Sequence, residues 1–147
     1  MKVQERPDWV LYINDELNYD YDKCGKWMYF SKDINFMSEI CSKAVSDKVV
    51  TLAKHRTEEW VAVRAKYSNK DEGVACFYLN YDDIEAHKKI LSFFIDNNLV
   101  SKTKEGRFYN ISFKFDSQTR ARQYGEDFCS EIKLSNFIDL NSGEWLT

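Results

Sequence analysis

The chain has 147 residues, of which 44% are hydrophobic and 16% aromatic, and its formal net charge is −3. This length and aromatic content predict a single folded domain over residues 1–147 and exclude the intrinsically disordered class. The acidic balance argues against binding to extended nucleic acid or to a membrane surface, because both attract an excess of Lys and Arg.

The four cysteines are far apart, and none forms a CxxC pair: Cys24, Cys41, Cys76 and Cys129. This spacing gives little support to a zinc cluster or a redox motif, and we expect neither a metal nor a cofactor. The N-terminus lacks the apolar segment of a secretory signal, and no apolar run approaches the roughly 18 residues that span a bilayer. The sequence therefore predicts a cytoplasmic protein with free thiols.

Charge is distributed unevenly along the chain. Residues 1–22 carry two Lys or Arg against six Asp or Glu, and residues 126–147 carry one against five, so each end has a net charge of −4. Residues 101–125 carry six basic side chains against two acidic ones, a net charge of +4. Such a basic segment either faces an anionic ligand or pairs with the acidic ends within the fold.

The first third of the chain predicts two strands and a helix. Residues 9–13 (WVLYI) form a short apolar run, and residues 26–30 (KWMYF) have strong β character. Asp33 is a good N-cap residue, and apolar side chains recur at helical spacing after it. Residues 33–46 therefore predict an amphipathic helix that packs on a sheet.

The middle of the chain predicts three more strands. Residues 48–54 (KVVTLAK) and 60–66 (WVAVRAK) have strand-like patterns, with a hairpin loop expected at residues 55–59. Residues 74–79 (VACFYL) form a nearly continuous apolar run, which is typical of a central strand.

The last third predicts one helix and further strands. Asp82, followed three residues later by a glutamate, resembles a capping box, and an apolar stripe then predicts a helix from about residue 83 to 97. We expect a turn at residues 104–106, a strand over 108–115, and a C-terminal strand with a turn at 141–143. The elements together predict an α+β fold.

Three stretches are notable for their order and spacing: residues 25–30 (GKWMYF), 74–83 (VACFYLNYDD) and 114–125 (KFDSQTRARQYG). Together they resemble a family of small proteins that includes the vertebrate basophilic leukaemia-expressed protein and bacterial proteins named for a phosphothreonine lyase domain. In the last stretch, five residues fall at the family's spacing: Lys114, Asp116, Thr119, Ala121 and Tyr124. The chain departs from the family at Arg122, where the family has a small residue.

The resemblance implies a fold like that of the cap-binding translation initiation factor. In that fold a curved antiparallel sheet carries two or three helices on one face. The resemblance also implies a phosphate-bearing ligand and, as a hypothesis, a lyase activity.

Basic residues supply the candidate anion site. Lys114, Arg120 and Arg122 suit an anion because guanidinium groups offer paired donors and an ammonium is a compact point charge. Lys26 and Lys54 lie on other predicted strands and are expected to join them. The alternative interpretation is a solvated strand edge without a ligand.

Aromatic residues are candidates for the wall of such a site. Trp27 lies in an apolar strand and is predicted to belong to a pocket wall or to the core, whereas Trp60 has more polar neighbours and could stack on a base or a guanidinium. Trp9, Trp27 and Trp60 could also sandwich a purine if they converge. Core packing is the alternative for all three.

A lyase would need a general acid beside its Lys base and Arg donors. His55, next to Lys54 and Arg56, is the better candidate, whereas His87 is predicted to lie on a helix surface.

Three functional hypotheses remain open. The chain binds a phosphorylated small molecule, a nucleotide or a phosphopeptide; it is an interaction or inhibitor protein whose acidic surface engages a basic partner protein; or it is a phosphothreonine lyase-like enzyme.

Overall fold

The fold is α+β, as the sequence predicts, and the described residues form seven antiparallel strands in one unclosed sheet and three α-helices. The computed structural model describes residues 1–116 and 132–146. The strands are β1 (Lys2–Glu5), β2 (Trp9–Ile13), β3 (Cys24–Ser31), β4 (Leu52–Arg56), β5 (Gly73–Asn80), β6 (Ser112–Phe115) and β7 (Ile132–Lys133). The helices are α1 (Ile34–Ser46), α2 (Glu58–Tyr67) and α3 (Ile84–Asp96), with a short 3-10 turn at Leu134–Asn136.

The strand order across the sheet is β1-β2-β4-β5-β3-β6-β7. β5 is central, as its apolar run predicts, and it pairs with β3 along its whole length and with β4 on its other side. Because directly paired residues of antiparallel strands share a face, this register determines which side chains lie together.

One face of the sheet is covered by α1 and α3 and forms the core. Phe77 on β5 packs against Phe94 on α3 with ring centroids 5.3 Å apart, and the Tyr12 hydroxyl lies 2.7 Å from the hydroxyl of Ser38 on α1. Each fully buried large apolar side chain stabilises the fold by about 1.5–3 kcal/mol relative to leaving it exposed. The opposite face, here called the distal face, lies away from these two helices.

Both amphipathic helices occur where the sequence predicts them, and both have defined ends. The carboxylates of Asp33 and Asp83 accept hydrogen bonds from the backbone N–H groups three residues later. The cap of α3 is thus Asp83 and not the predicted Asp82, which pairs with Lys23 instead. At their C-terminal ends Lys48 and Asn98 adopt positive φ angles of 58°, and the following N–H groups bond back to the last turn. These are Schellman-type endings.

The prediction of a strand at residues 60–66 is wrong, because this segment is helix α2. Thr57 accepts a hydrogen bond from the N–H of Trp60, and Glu58 begins an acidic first turn that the helix dipole favours. The predicted hairpin loop at residues 55–59 is also wrong, since β4 continues to Arg56.

Two other strand boundaries differ from the prediction. β6 begins at Ser112 rather than at residue 108, and β4 begins at Leu52 rather than at residue 48, because residues 48–50 complete the end of α1. The N-terminal strand β1 was not predicted. The turns at residues 104–106 and 141–143 are confirmed, each with a glycine at positive φ.

No helix within the two described ranges is both long enough and apolar enough to cross a lipid bilayer.

Candidate functional site

The structure brings Lys26 and Lys54 together on the distal face. Lys26 on β3 pairs with Tyr78 on β5, and Lys54 on β4 pairs with Cys76 on the same strand. Each ammonium lies 5.5 Å from the centroid of the Tyr78 ring, so the phenol stands between two cations. Lys114 on β6 pairs with Lys26 and shares this face, with an exposed side chain.

Two of the predicted anion-binding residues, Arg120 and Arg122, lie outside the described residues, as does Cys129.

Of the two positions predicted for Trp27, the core is confirmed and the pocket wall is wrong. Its side chain faces the helices, is fully buried, and donates a hydrogen bond from Nε1 to Nδ1 of His87 at 3.0 Å. Because Nδ1 accepts this bond, Nε2 of His87 carries the proton and donates to the carbonyl of Tyr81 at 2.8 Å. The prediction that His87 lies on a helix surface is also wrong, since its exposure is 0%.

His55, the candidate acid, is buried on the core side of β4. Its ring nitrogens contact the Tyr12 hydroxyl at 3.3 Å and the carbonyl oxygen of Arg56 at 2.9 Å. Burial lowers the pKa of His55 and that of His87, in each case against the raising effect of a backbone hydrogen bond. Both rings are therefore neutral at physiological pH and face away from Lys26 and Lys54.

A series of alternating cations and aromatic rings crosses the distal face beyond Lys54. The Lys54 ammonium lies 4.0 Å from the centroid of Trp9, and the Arg56 guanidinium lies 3.8 Å from the same ring. Arg56 also lies 3.9 Å from the Trp60 ring, which Arg64 approaches at 5.2 Å. We call this series the cation–aromatic ladder: Lys26, Tyr78, Lys54, Trp9, Arg56, Trp60 and Arg64.

Sequence reasoning found part of the ladder: Lys26 and Lys54 were candidates, and the predicted stacking of Trp60 on a guanidinium is confirmed. It did not place the other members in a common series. Trp9 was considered only as one of three tryptophans that could sandwich a purine, and Arg56 only as a neighbour of His55. Tyr78 was assigned to an apolar strand. The signal that could have found Arg56 is its place two residues after Lys54, because alternate residues of a strand share a face.

The electrostatics of the ladder favour an anion. Burial is the main cause of the lowered pKa of Lys54. The charges of Lys26 and Arg56 act in the same direction, and that of Asp116 acts against it. Burial likewise lowers the pKa of Arg56, and the nearby charge of Asp8 opposes this shift. Lys26 forms an ion pair with Asp116 at 3.4 Å, whereas within the described parts of the chain no carboxylate forms an ion pair with Lys54 or Arg56. An anion would favour the charged forms of both.

Beside Lys54 is a cavity of about 320 Å³, a size within the range of small-molecule sites. Its lining includes Leu11, Tyr19, Tyr21, Lys54, Tyr78 and Asp116. Burial raises the pKa of Tyr19 to about 12 and also raises that of Tyr78. Both phenols therefore keep their protons and can donate hydrogen bonds to a ligand.

Cys76 lies below the ladder and is an inert thiol. The charges of Lys26, Lys54 and Arg56 favour its thiolate, but the effect of burial is larger and raises the pKa of the Cys76 thiol. The thiol therefore stays protonated, and it serves as a small apolar residue.

Comparisons of this chain with known protein families, with curated proteins and with solved structures find no match. The resemblance to the leukaemia-expressed and lyase-domain family therefore stays a prediction. A fold alone does not determine function, so the side chains of the distal face are the guide to what this chain binds.

Proposed function

We propose that this protein binds a small phosphate-bearing ligand, of which a nucleotide is the leading type, on the distal face of its sheet. The observation that carries the proposal is the position of Lys54. Its ammonium is half-buried, lies beside a cavity, and has no carboxylate ion partner among residues 1–116 and 132–146. A cation held in this way gains most from an anionic ligand, which compensates its desolvation.

The neighbouring groups fit the same class of ligand. Lys26 adds a second ammonium on the other side of Tyr78, and the phenols of Tyr78 and Tyr19 can donate to phosphate or ribose oxygens. Rings at this face also offer planar surfaces on which a base can stack. The site therefore combines charge for a phosphate with aromatic area for a nucleobase.

Binding is favoured over histidine-assisted elimination. Both histidines are buried on the core side of the sheet, and their nitrogens are already engaged in hydrogen bonds. The lyase hypothesis thus has no support from their geometry. We also propose that the chain is related to the lyase-domain family and shares its initiation-factor-like fold. Such a relationship would agree with a phosphate-bearing ligand.

Among the described residues no particular contact favours the interaction or inhibitor hypothesis, so it stays a prediction. We also propose a cytoplasmic setting. Cys41 and Cys76 are buried free thiols, as is usual in reducing compartments.

The first prediction concerns Lys54. Replacing it in a Lys54→Gln variant should weaken the binding of nucleoside monophosphates about tenfold or more, because one charge-assisted contact is lost. Isothermal titration calorimetry with adenosine and guanosine monophosphates, inorganic phosphate, a phosphothreonine peptide and unphosphorylated adenosine measures this change.

The matched control is Lys43→Gln, which removes the same charge from an exposed position on α1. This variant should bind as the wild type does. Absence of binding of every phosphorylated compound to the wild type would refute the proposal, and equal losses in both variants would show a general charge effect without a site.

A further inference from the structure

Arg56 is held between two indole rings. It lies directly opposite Trp9 across the β2–β4 pair, and Trp60 reaches it from the first turn of α2. The guanidinium carbon is 3.8 Å from the centroid of the Trp9 ring and 3.9 Å from that of Trp60. These distances are those of close cation–π contacts on both sides of the group.

Hydrogen bonds do not account for this position. Nε of Arg56 is buried and has no hydrogen-bond partner, and no acceptor in the described part of the chain bonds to the rest of its guanidinium. Stacking therefore positions the group, while the side chain is partly exposed and its terminal nitrogens remain available as donors.

An arginine side chain fixed in this way is well suited to bind an oxyanion. Its terminal N–H groups form a rigid fork that matches two oxygens of one phosphate, whereas a lysine presents a single compact charge. Stacking against two rings restricts the rotation of the fork before a ligand arrives, which lowers the entropic cost of binding. Lys54 contacts the Trp9 ring as well, so a point charge lies next to the fork.

The geometry points to Arg56 as the phosphate-recognising group of the distal face, held by Trp9 and Trp60, for a ligand that carries a phosphate monoester. This inference rests on the proposed function and names the class of ligand within it. A monoester has three terminal oxygens, of which two suit the Arg56 fork and one suits Lys54. A phosphodiester has only two terminal oxygens and cannot satisfy both groups equally well.

The test compares the binding of adenosine monophosphate and of its 3′,5′-cyclic diester to the wild type, Arg56→Lys and the control Arg107→Lys by calorimetry. We expect the wild type to bind the monoester about tenfold or more tightly than the diester. Arg56→Lys keeps the charge but loses the fork, and should weaken monoester binding about tenfold or more. Arg107→Lys makes the same substitution at an exposed position outside the ladder and should bind the monoester as the wild type does.

A second pair of variants tests the stack without altering Arg56. Trp60→Leu removes one wall and should weaken monoester binding, whereas Trp60→Phe keeps an aromatic face and should bind more nearly as the wild type does. Thermal unfolding of each variant shows whether it is folded. If Arg56→Lys does not fold, the two Trp60 variants still test whether the stack positions Arg56 for monoester binding.

Separate outcomes identify which proposal fails. If Arg56→Lys and Trp60→Leu bind the monoester as the wild type does while Lys54→Gln does not, Arg56 is not the phosphate-recognising group and the proposed function stands. Equal binding of monoester and diester would overturn the ligand class. If the wild type binds none of the phosphorylated compounds, the proposed function fails and this inference fails with it.

Discussion

At the scale of single residues, each ladder ring between two cations offsets part of the cost of removing their charges from water. Trp9 contacts both Lys54 and Arg56, and Tyr78 lies between Lys26 and Lys54. One cation–π contact contributes about 0.5–2 kcal/mol, less than the cost of fully burying a charge. The rings therefore hold the cations at the surface without neutralising them, and their affinity for an anion remains.

The two buried histidines make the stability of the fold depend on pH. Their pKa values are lowered by burial, so the unfolded chain takes up protons near the ordinary value of about 6.5 while the folded chain does so only at lower pH. The free energy of unfolding should thus fall as the pH drops below about 6.5, until the lower folded-state pKa values are reached. Its slope is at most about 1.4 kcal/mol per pH unit for each histidine.

The measurement is urea unfolding of the wild type and of His87→Gln between about pH 7.5 and pH 5. A glutamine can accept the Trp27 hydrogen bond and does not titrate. The pH slope of the free energy of unfolding should therefore be smaller in this variant by up to about 1.4 kcal/mol per pH unit, which corresponds to one proton. His55→Gln should reduce the slope in the same way. Identical slopes in all three proteins would show that neither histidine is the source.

At the scale of elements, the two helices that the sequence predicts correctly have both an apolar stripe and a capping aspartate. Helix α2 has no comparable stripe and buries only Val61, so its alternating valines and alanines imitate a strand. Its helical state depends instead on the Thr57 cap and on charges placed to suit the dipole. Strand β1 is an exposed edge strand without an apolar run. The local sequence pattern therefore does not predict its pairing with β2.

Much less of the site than of the fold is predictable from sequence. Lys26 and Lys54 could be proposed from residue type, but their convergence depends on β5 lying between β3 and β4. That strand order is a long-range property that periodicity does not encode. The Arg56 stack in addition requires α2 to be a helix, because Trp60 reaches Arg56 from its first turn.

The cap of α2 connects stability to the site. The Thr57 hydroxyl oxygen accepts from the N–H of Trp60 at 3.1 Å, and the hydroxyl donates to the carbonyl of Pro7 at 2.7 Å. Thr57→Ala removes both bonds and should lower the free energy of unfolding by about 1–2 kcal/mol. Urea unfolding measures this loss, and ligand titration should show weaker binding because the first turn positions Trp60.

Thr57→Ser is the control, since it keeps the hydroxyl and should behave nearly as the wild type does. Equal stability of the alanine and serine variants would mean that the cap does not hold α2.

At the scale of the whole molecule, an acidic chain concentrates cations on one face of its sheet, and of these Lys26 forms an ion pair with Asp116. The net charge is −3, yet the ladder brings Lys26, Lys54, Arg56 and Arg64 into one series with three aromatic rings. Local concentration of one sign allows a small anion to bind even when the net charge opposes it. Helices α1 and α3 cover the other face of the sheet, so the distal face is separate from the core.

The four tryptophans allow one direct measurement of this arrangement. Trp9 and Trp60 belong to the ladder, Trp27 is buried in the core, and Trp145 forms a β-bridge with Ile138 near the C-terminus. Titration of ¹⁵N-labelled protein with adenosine monophosphate, followed by NMR of the indole N–H signals, reports on all four at once. Single Trp→Phe variants assign the signals.

We predict that the signals of Trp9 and Trp60 shift together and saturate at the same ligand concentration, while those of Trp27 and Trp145 stay in place. If the Trp27 or Trp145 signal shifts and those of Trp9 and Trp60 do not, the ligand binds elsewhere. If no indole signal responds, the distal face is not a phosphate-binding site.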